Sequence, residues 1–263
     1  MQIPIQTCVK GNMITGMIHV PAIRAKGTPV IIMCYGLNGD RVEIHRMSVI
    51  AARQAEEMGV VFLRFDYRGL GLSEGEFWSS SLESKTEDVL AMIDFVKGCF
   101  QMETTTLILL GFCDGGRIAS RIAALRDDIN GLIMWNPIFS ALPAVFRSQG
   151  SEVRLMREPK TKEFVYPFFG LWMGTNYLRE INTIMEMEEL HGFKKPKLLI
   201  FAENDSYTRE TRSSDFMDAF VKDPLIELLI IKNAKHLFNS INWTKQVIDN
   251  SLNWSINLAK SNV

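Results

Sequence analysis

The stretch "LILLGFCDGGRIAS", Leu107 to Ser120, decides the fold. Its first half is an apolar run without a charge, the pattern of a strand buried on both faces. Its second half opens "DGGRIASRIAALRDD", with apolar residues three and four apart, the pattern of a helix. Between them Gly111 and Gly115 flank Cys113 as G-x-C-x-G. A strand that turns sharply into a helix with its corner side chain exposed forces strained dihedrals, and small residues must stand on either side. The corner therefore places Cys113 as a nucleophile. The backbone N–H of Asp114 would face a developing oxyanion, and the helix N-terminus would favour a thiolate.

The same periodicities extend outward in both directions. "IPIQTCV" and "MITGMIHV" alternate and meet near Gly11 and Asn12, which predicts an N-terminal β-hairpin. Short apolar runs follow at 29–35, 60–65, 106–112, 131–135, 196–202 and 226–231. Helical stretches lie between most of them: "HRMSVIAARQAEEMG" ends at Gly59 and "SLESKTEDVLAMIDFVKG" ends at Gly98. Strands alternating with helices give an α/β fold with a mostly parallel, doubly wound sheet. The interval 137–192 breaks the alternation and is too long for an ordinary connection. It is aromatic-rich and then acidic, a composition suited to an inserted helical cap over a pocket. The expected organisation is a core of 1–136 and 193–263 with a cap of 137–192.

Composition narrows the function. The chain has 263 residues, 47% of them hydrophobic, and a net charge of −1, enough to bury a full core. No basic stripe points to nucleic acid, and no apolar run reaches the roughly 18 residues that span a bilayer. A small-molecule ligand is the default partner. The N-terminus lacks the basic start and apolar block of a secretory signal, so the expected location is cytoplasmic. Four cysteines without a C-x-x-C pair, and four histidines, suggest no metal, no disulfide framework and no cofactor. Cys8, Cys34 and Cys99 sit among apolar neighbours and read as small core residues.

Several motifs together resemble the α/β-hydrolase family, in particular its esterase, thioesterase and serine-aminopeptidase-like branches, along nearly the whole chain. G-x-C-x-G is that family's G-x-S-x-G nucleophile elbow with sulfur for oxygen. "CYGLNGDR" (34–41) resembles the oxyanion loop, with Tyr35 in place of the family's histidine and Leu37 as the second backbone donor. "FDYRGLGLSEG" (65–75) resembles the Asp-x-Arg-Gly-x-Gly-x-Ser loop, where Asp66 and Arg68 hold the loop together. The family's order of nucleophile, acid and histidine selects Asp205, in "ENDSYT" after the strand "KLLIFA", with Glu203 as the weaker substitute. It selects His236, in "KNAKHLF" after the strand "IELLII", as the base. His19 lies in the opening hairpin, His45 starts an early helix and His191 precedes a strand, so none fits that role.

The resemblance implies a hydrolase that cleaves an ester or thioester through Cys113, His236 and Asp205, with a covalent acyl-enzyme. The alternatives are an acyltransferase or cyclase acting on a carrier-bound thioester, and a non-hydrolytic ligand-binding homologue. The sequence reads the same if cysteine replaces an original serine. Tyr35, Phe139 and Trp172 are candidate substrate contacts, with Phe146, Tyr166, Phe168, Phe169 and Tyr177 as further cap aromatics. Arg147, Arg154, Arg157, Lys160 and Lys162 could greet a carrier protein. The sequence gives no oligomeric state.

Overall fold

The computed structural model describes residues 1–23, 27–100, 106–139, 155–183, 186–208, 212 and 214–261. An eight-stranded sheet forms the centre. Its strands are β1 Gln2–Val9, β2 Asn12–His19, β3 Val30–Cys34, β4 Val61–Phe65, β5 Leu107–Phe112, β6 Gly131–Trp135, β10 Lys197–Ala202 and β11 Ile226–Ile231. The spatial order is β1-β2-β4-β3-β5-β6-β10-β11. The hairpin β1–β2 is antiparallel and joins β4 antiparallel, and every pairing from β4 to β11 is parallel. Strands β3, β4, β5, β6 and β10 are buried at every position, because helices cover both faces of a parallel sheet.

The helices are α1 Met47–Glu57, α2 Leu82–Phe100, α3 Gly115–Leu125, α4 Thr175–Thr183, α5 Glu186–Gly192, α6 Ser214–Lys222 and α7 Ile241–Ser261. Ile118, Ala119, Ile122 and Ala123 form the inner stripe of α3, at the three-and-four spacing of a helix lying on a sheet. The loops after β3, β5, β10 and β11 carry Leu37, Cys113, Asp205 and His236, so the C-terminal edge of the sheet gathers all four.

The structure departs from the sequence reading at several points. The described part of 137–192 contributes no strand to the large sheet and is not mostly helical. A three-stranded antiparallel sheet, β7 Met156–Arg157, β8 Phe164–Phe168 and β9 Leu171–Gly174, precedes α4 and α5. β8 and β9 are joined through Phe169 and Gly170, both at positive φ (48° and 81°), the backbone that a two-residue hairpin turn requires. Phe146, Arg147 and Arg154 lie outside the described residues. Helix α2 runs past Gly98 to Phe100, because no αL residue ends it there. His45 precedes α1 in a short 3-10 turn instead of starting it. β11 is half-exposed as an edge strand. Cys8 and Cys99 are exposed and not core residues. Cys8 alternates with the buried Ile5 and Val9 along edge strand β1, and Cys99 falls in the last turn of α2. Among the described residues no helix is long and apolar enough to cross a membrane.

Candidate active site

Cys113 occupies the corner between β5 and α3 with φ at 55°, a left-handed backbone that costs a non-glycine residue about 1–3 kcal/mol. Hydrogen bonds hold the corner. The Cys113 N–H donates to the Trp135 carbonyl at 2.9 Å, and its carbonyl accepts from Gly116 at 3.1 Å and Ile138 at 3.2 Å. The flanking glycines are required by close approach. A Cβ on Gly115 would stand 2.1 Å from the Cys34 carbonyl oxygen, and one on Gly111 would stand 2.7 Å from the Gly115 carbonyl oxygen.

His236 and Asp205 meet beside it. His236 Nδ1 lies 2.7 Å from Asp205 Oδ2, and Asp205 Oδ1 accepts the Tyr207 N–H at 2.8 Å. The imidazole is clamped between two rings, Phe112 stacked at 5.6 Å and Tyr207 at 4.7 Å. Asn136, at the end of β6, ties the loops together: its amide donates to the His236 carbonyl and accepts from the Ala202 N–H, each at 2.7 Å. Burial alone would lower the His236 pKa. The Cys113 sulfur and the Asp205 carboxylate beside the ring outweigh it and push it up to about 10. The geometry therefore favours a protonated His236 ring between the sulfur and the carboxylate.

Neither the Leu37 nor the Asp114 backbone N–H donates to an acceptor among the described residues. Tyr35, by contrast, does not face substrate. It is fully buried, edge-on to Phe65 and Tyr67 at 6.3 and 6.2 Å, because its side chain turns into the core while the loop beyond it turns outward.

A cavity of about 400 Å³ opens above the sulfur, lined by Gly36 to Asp40, Val42 to Ile44, Phe112, Cys113, Phe168, Phe169, Tyr207, His236 and Leu237. Phe139 and Trp172 do not line it. Phe139 is buried in the core and Trp172 lies 44% exposed on the outside of its hairpin. Tyr177 is likewise fully buried. Phe168 and Phe169 supply the aromatic wall instead. A larger open groove of about 770 Å³ between α1 and α7 contains neither Cys113 nor His236.

Sequence reasoning passed over Glu43, whose backbone is also left-handed at φ 56°. Burial pushes its carboxyl up to about 7, against the opposing N–H groups of Ile44 and Gly36. A glutamate after a glycine-rich loop carries no sequence signal of that burial. The loop residues Asp66 and Arg68 do hold structure together. Asp66 accepts the N–H groups of Arg41 and Leu72 at 2.7 and 2.8 Å, and Arg68 pairs with Asp88 at 2.6 Å and Glu87 at 2.7 Å. His19 is buried against Arg64 at 3.0 Å, away from the sulfur; burial and that cation lower its pKa to about 4. Among the described residues no cluster of His, Cys, Asp and Glu could hold a metal ion.

Residues 30–163, just over half the chain, match the sequence profile of the serine aminopeptidase S33 hydrolases. The chain belongs to that family. The large sheet, the elbow and the loops at its C-terminal edge are accordingly those of an α/β-hydrolase. No curated protein matches this S33 member in sequence. Solved structures share its fold. Est1E from Butyrivibrio proteoclasticus, with ferulic acid bound, is 23% identical with a TM-score of 0.75, over 95% of this chain and 98% of that one. The α/β-hydrolase GrgF from Penicillium sp. sh18 is 17% identical with a TM-score of 0.71, over 99% and 98%. DcsB, in complex with its substrate analogue, is 17% identical with a TM-score of 0.75, over the whole of both chains. Identities this low carry the fold and not the substrate.

Proposed function

We propose that this α/β-hydrolase cleaves an ester or thioester through a cysteine acyl-enzyme, with Cys113 as nucleophile, His236 as acid and base, and Asp205 as its orienting partner. One observation carries the reading: His236, held by Asp205 at 2.7 Å, lines the same cavity as a cysteine at a strained strand-to-helix corner. The thiolate attacks the substrate carbonyl, forming the C–S bond, and the carbonyl electrons move onto oxygen between the Leu37 and Asp114 amides. As the tetrahedral species collapses, the bond to the leaving group breaks and the His236 imidazolium protonates the departing alkoxide or thiolate. Neutral His236 then takes a proton from water, whose oxygen attacks the thioester. Collapse releases the carboxylic acid and restores the thiolate–imidazolium pair.

The insertion 137–192 serves as a cap in this reading, since Phe168 and Phe169 reach the cavity above Cys113. Their rings, with Phe112 and Leu237, favour an apolar or aromatic acyl group on a small molecule, free or delivered on a carrier protein. The test is intact-protein mass spectrometry after incubation with a panel of acyl esters and thioesters, followed by peptide mapping. An adduct of acyl mass on Cys113, lost in Cys113→Ala, is expected. An adduct elsewhere, or turnover unchanged in Cys113→Ala, would overturn the reading.

A further inference from the structure

The fourth residue of α2, Lys85, is 1% exposed, and the mechanism above does not use it. An ammonium taken out of water is costly unless its donors and charge are met inside the protein. Lys85 Nζ donates to the Leu37 carbonyl at 2.7 Å. It also lies over the rings of Tyr67 and Tyr177, at 5.0 and 5.1 Å from their centroids. The Tyr177 hydroxyl donates to Asp114 Oδ2, and Asp114 Oδ1 lies 3.1 Å from Arg117 Nε. Leu37 and Asp114 are the two residues whose N–H groups the proposed function assigns to the oxyanion. One buried cluster thus fastens both.

From this contact geometry we infer that Lys85 is a positioning residue for acyl chemistry: by holding the Leu37 carbonyl it fixes the loop that aims the Leu37 N–H at the oxyanion. The loop needs such a hold. "GLNG" (36–39) has a glycine at each end, and its one internal backbone hydrogen bond, Gly39 N–H to the Gly36 carbonyl, is long at 3.3 Å. A charged donor at 2.7 Å is the stronger restraint. Oxyanion donors act only when pre-aimed, and a shift of about 1 Å can cost about 100-fold in rate. Burial lowers the Lys85 pKa, whereas Asp114, Cys113, Asp88 and Glu43 favour the ammonium. A purely electrostatic role, holding the Cys113 sulfur as thiolate, is therefore the competing account to be separated.

The inference rests on the acyl-enzyme reading, and the experiment keeps their failures apart. Lys85→Met, Lys85→Gln and wild type are compared in two reactions of Cys113, each located by peptide mass. Alkylation by iodoacetamide needs the thiolate but no oxyanion hole. Acylation by p-nitrophenyl acetate needs both. For Lys85→Met the expected result is acylation slowed about 10- to 100-fold with alkylation within about threefold of wild type. An aldehyde that forms a thiohemiacetal should weaken by the same factor as acylation. Lys85→Gln keeps a neutral donor and should recover part of the acylation rate. Equal losses in alkylation and acylation would show that Lys85 acts on the sulfur's charge and would overturn the inference. So would unchanged acylation in Lys85→Met. Should Lys85→Met not fold, Lys85→Gln decides by the same ratio. Failure of both to fold would make Lys85 a residue of the fold and overturn it too. If wild type itself is not acylated at Cys113, the proposed function falls first.

Discussion

Gly115→Ala tests the elbow and the oxyanion hole at once. The new Cβ would stand 2.1 Å from the Cys34 carbonyl oxygen and 2.6 Å from the carbonyl oxygen of Tyr35. Both obstacles are backbone, so no side-chain rotation relieves them. Close C···O contacts in proteins begin near about 3.3 Å, so the end of β3 and the start of α3 must separate by about 1.2 Å. Overpacking of this kind destabilises by about 1–3 kcal/mol, which for a domain of this size lowers Tm by about 2–12 °C. The loss of function should be larger. Cys34 leads directly to the loop bearing Leu37, and Gly115 follows the amide of Asp114, so the separation pulls the two proposed oxyanion donors apart. A misplacement near 1 Å predicts acylation slowed by about 100-fold. Calorimetry gives the first number, and the release of p-nitrophenol in a single turnover gives the second. Iodoacetamide alkylation of Cys113 should change far less, because it uses no oxyanion donor. A variant that melts like wild type and acylates at the wild-type rate would refute the close-packing argument, and with it the assignment of Leu37 and Asp114 as a pair.

Cys113→Ala should abolish the acyl adduct, whereas His236→Ala should acylate slowly and then deacylate poorly, as time-resolved intact mass would show, because both half-reactions use the imidazole. Cys113→Ser should lose turnover if the site is tuned to a thiolate; a gain in ester hydrolysis would instead mark the site as built for serine. Tyr177→Phe keeps the ring over Lys85 but takes a donor from the buried Asp114 carboxylate, a loss of about 1–3 kcal/mol readable by urea unfolding. His236 is held above its ordinary pKa of 6.5, up to about 10, by Cys113 and Asp205. Its contribution to stability is complete below about pH 6.5 and lost as pH rises through about 10. Asp205→Asn should flatten that part of the stability profile, and NMR titration of the imidazole should give a lower His236 pKa in both Asp205→Asn and Cys113→Ala.

What the sequence disclosed and what it concealed divide along a physical line. The strands and the elbow are carried by local signals, unbroken apolar runs and glycines two residues either side of a corner, whereas Asp205 and His236 are selected by the chain order of the family the sequence resembles. Each local signal depends only on its neighbours in the chain. Tyr35 misled because its position in the loop implied a place in the cavity, whereas its side chain is set by where β3 ends and packs against Phe65 and Tyr67. Trp172 and Phe168 are indistinguishable by composition. The hairpin register puts Trp172 opposite Pro167 and Phe168 opposite Leu171, and alternation then sends the residues of the strands to different faces.

Lys85 lies at the far end of this scale. In "SLESKTEDVL" it reads as one more charge on a solvated helical turn, and only the meeting of α2 with the loop after β3, 48 residues away in the chain, turns it inward. Glu43 is concealed in the same way, by a left-handed backbone that no residue type there announces. Lys85 is an ionisable group whose burial has to be offset by a partner from a distant segment, and such a partnership leaves no period or spacing in the chain. A charge so placed costs stability unless it is met, and Lys85 is met by the one carbonyl that belongs to the Leu37 donor. Replacing Lys85 by methionine could therefore leave the fold as stable as before while costing the enzyme its rate, the combination that separates a group kept for chemistry from one kept for packing.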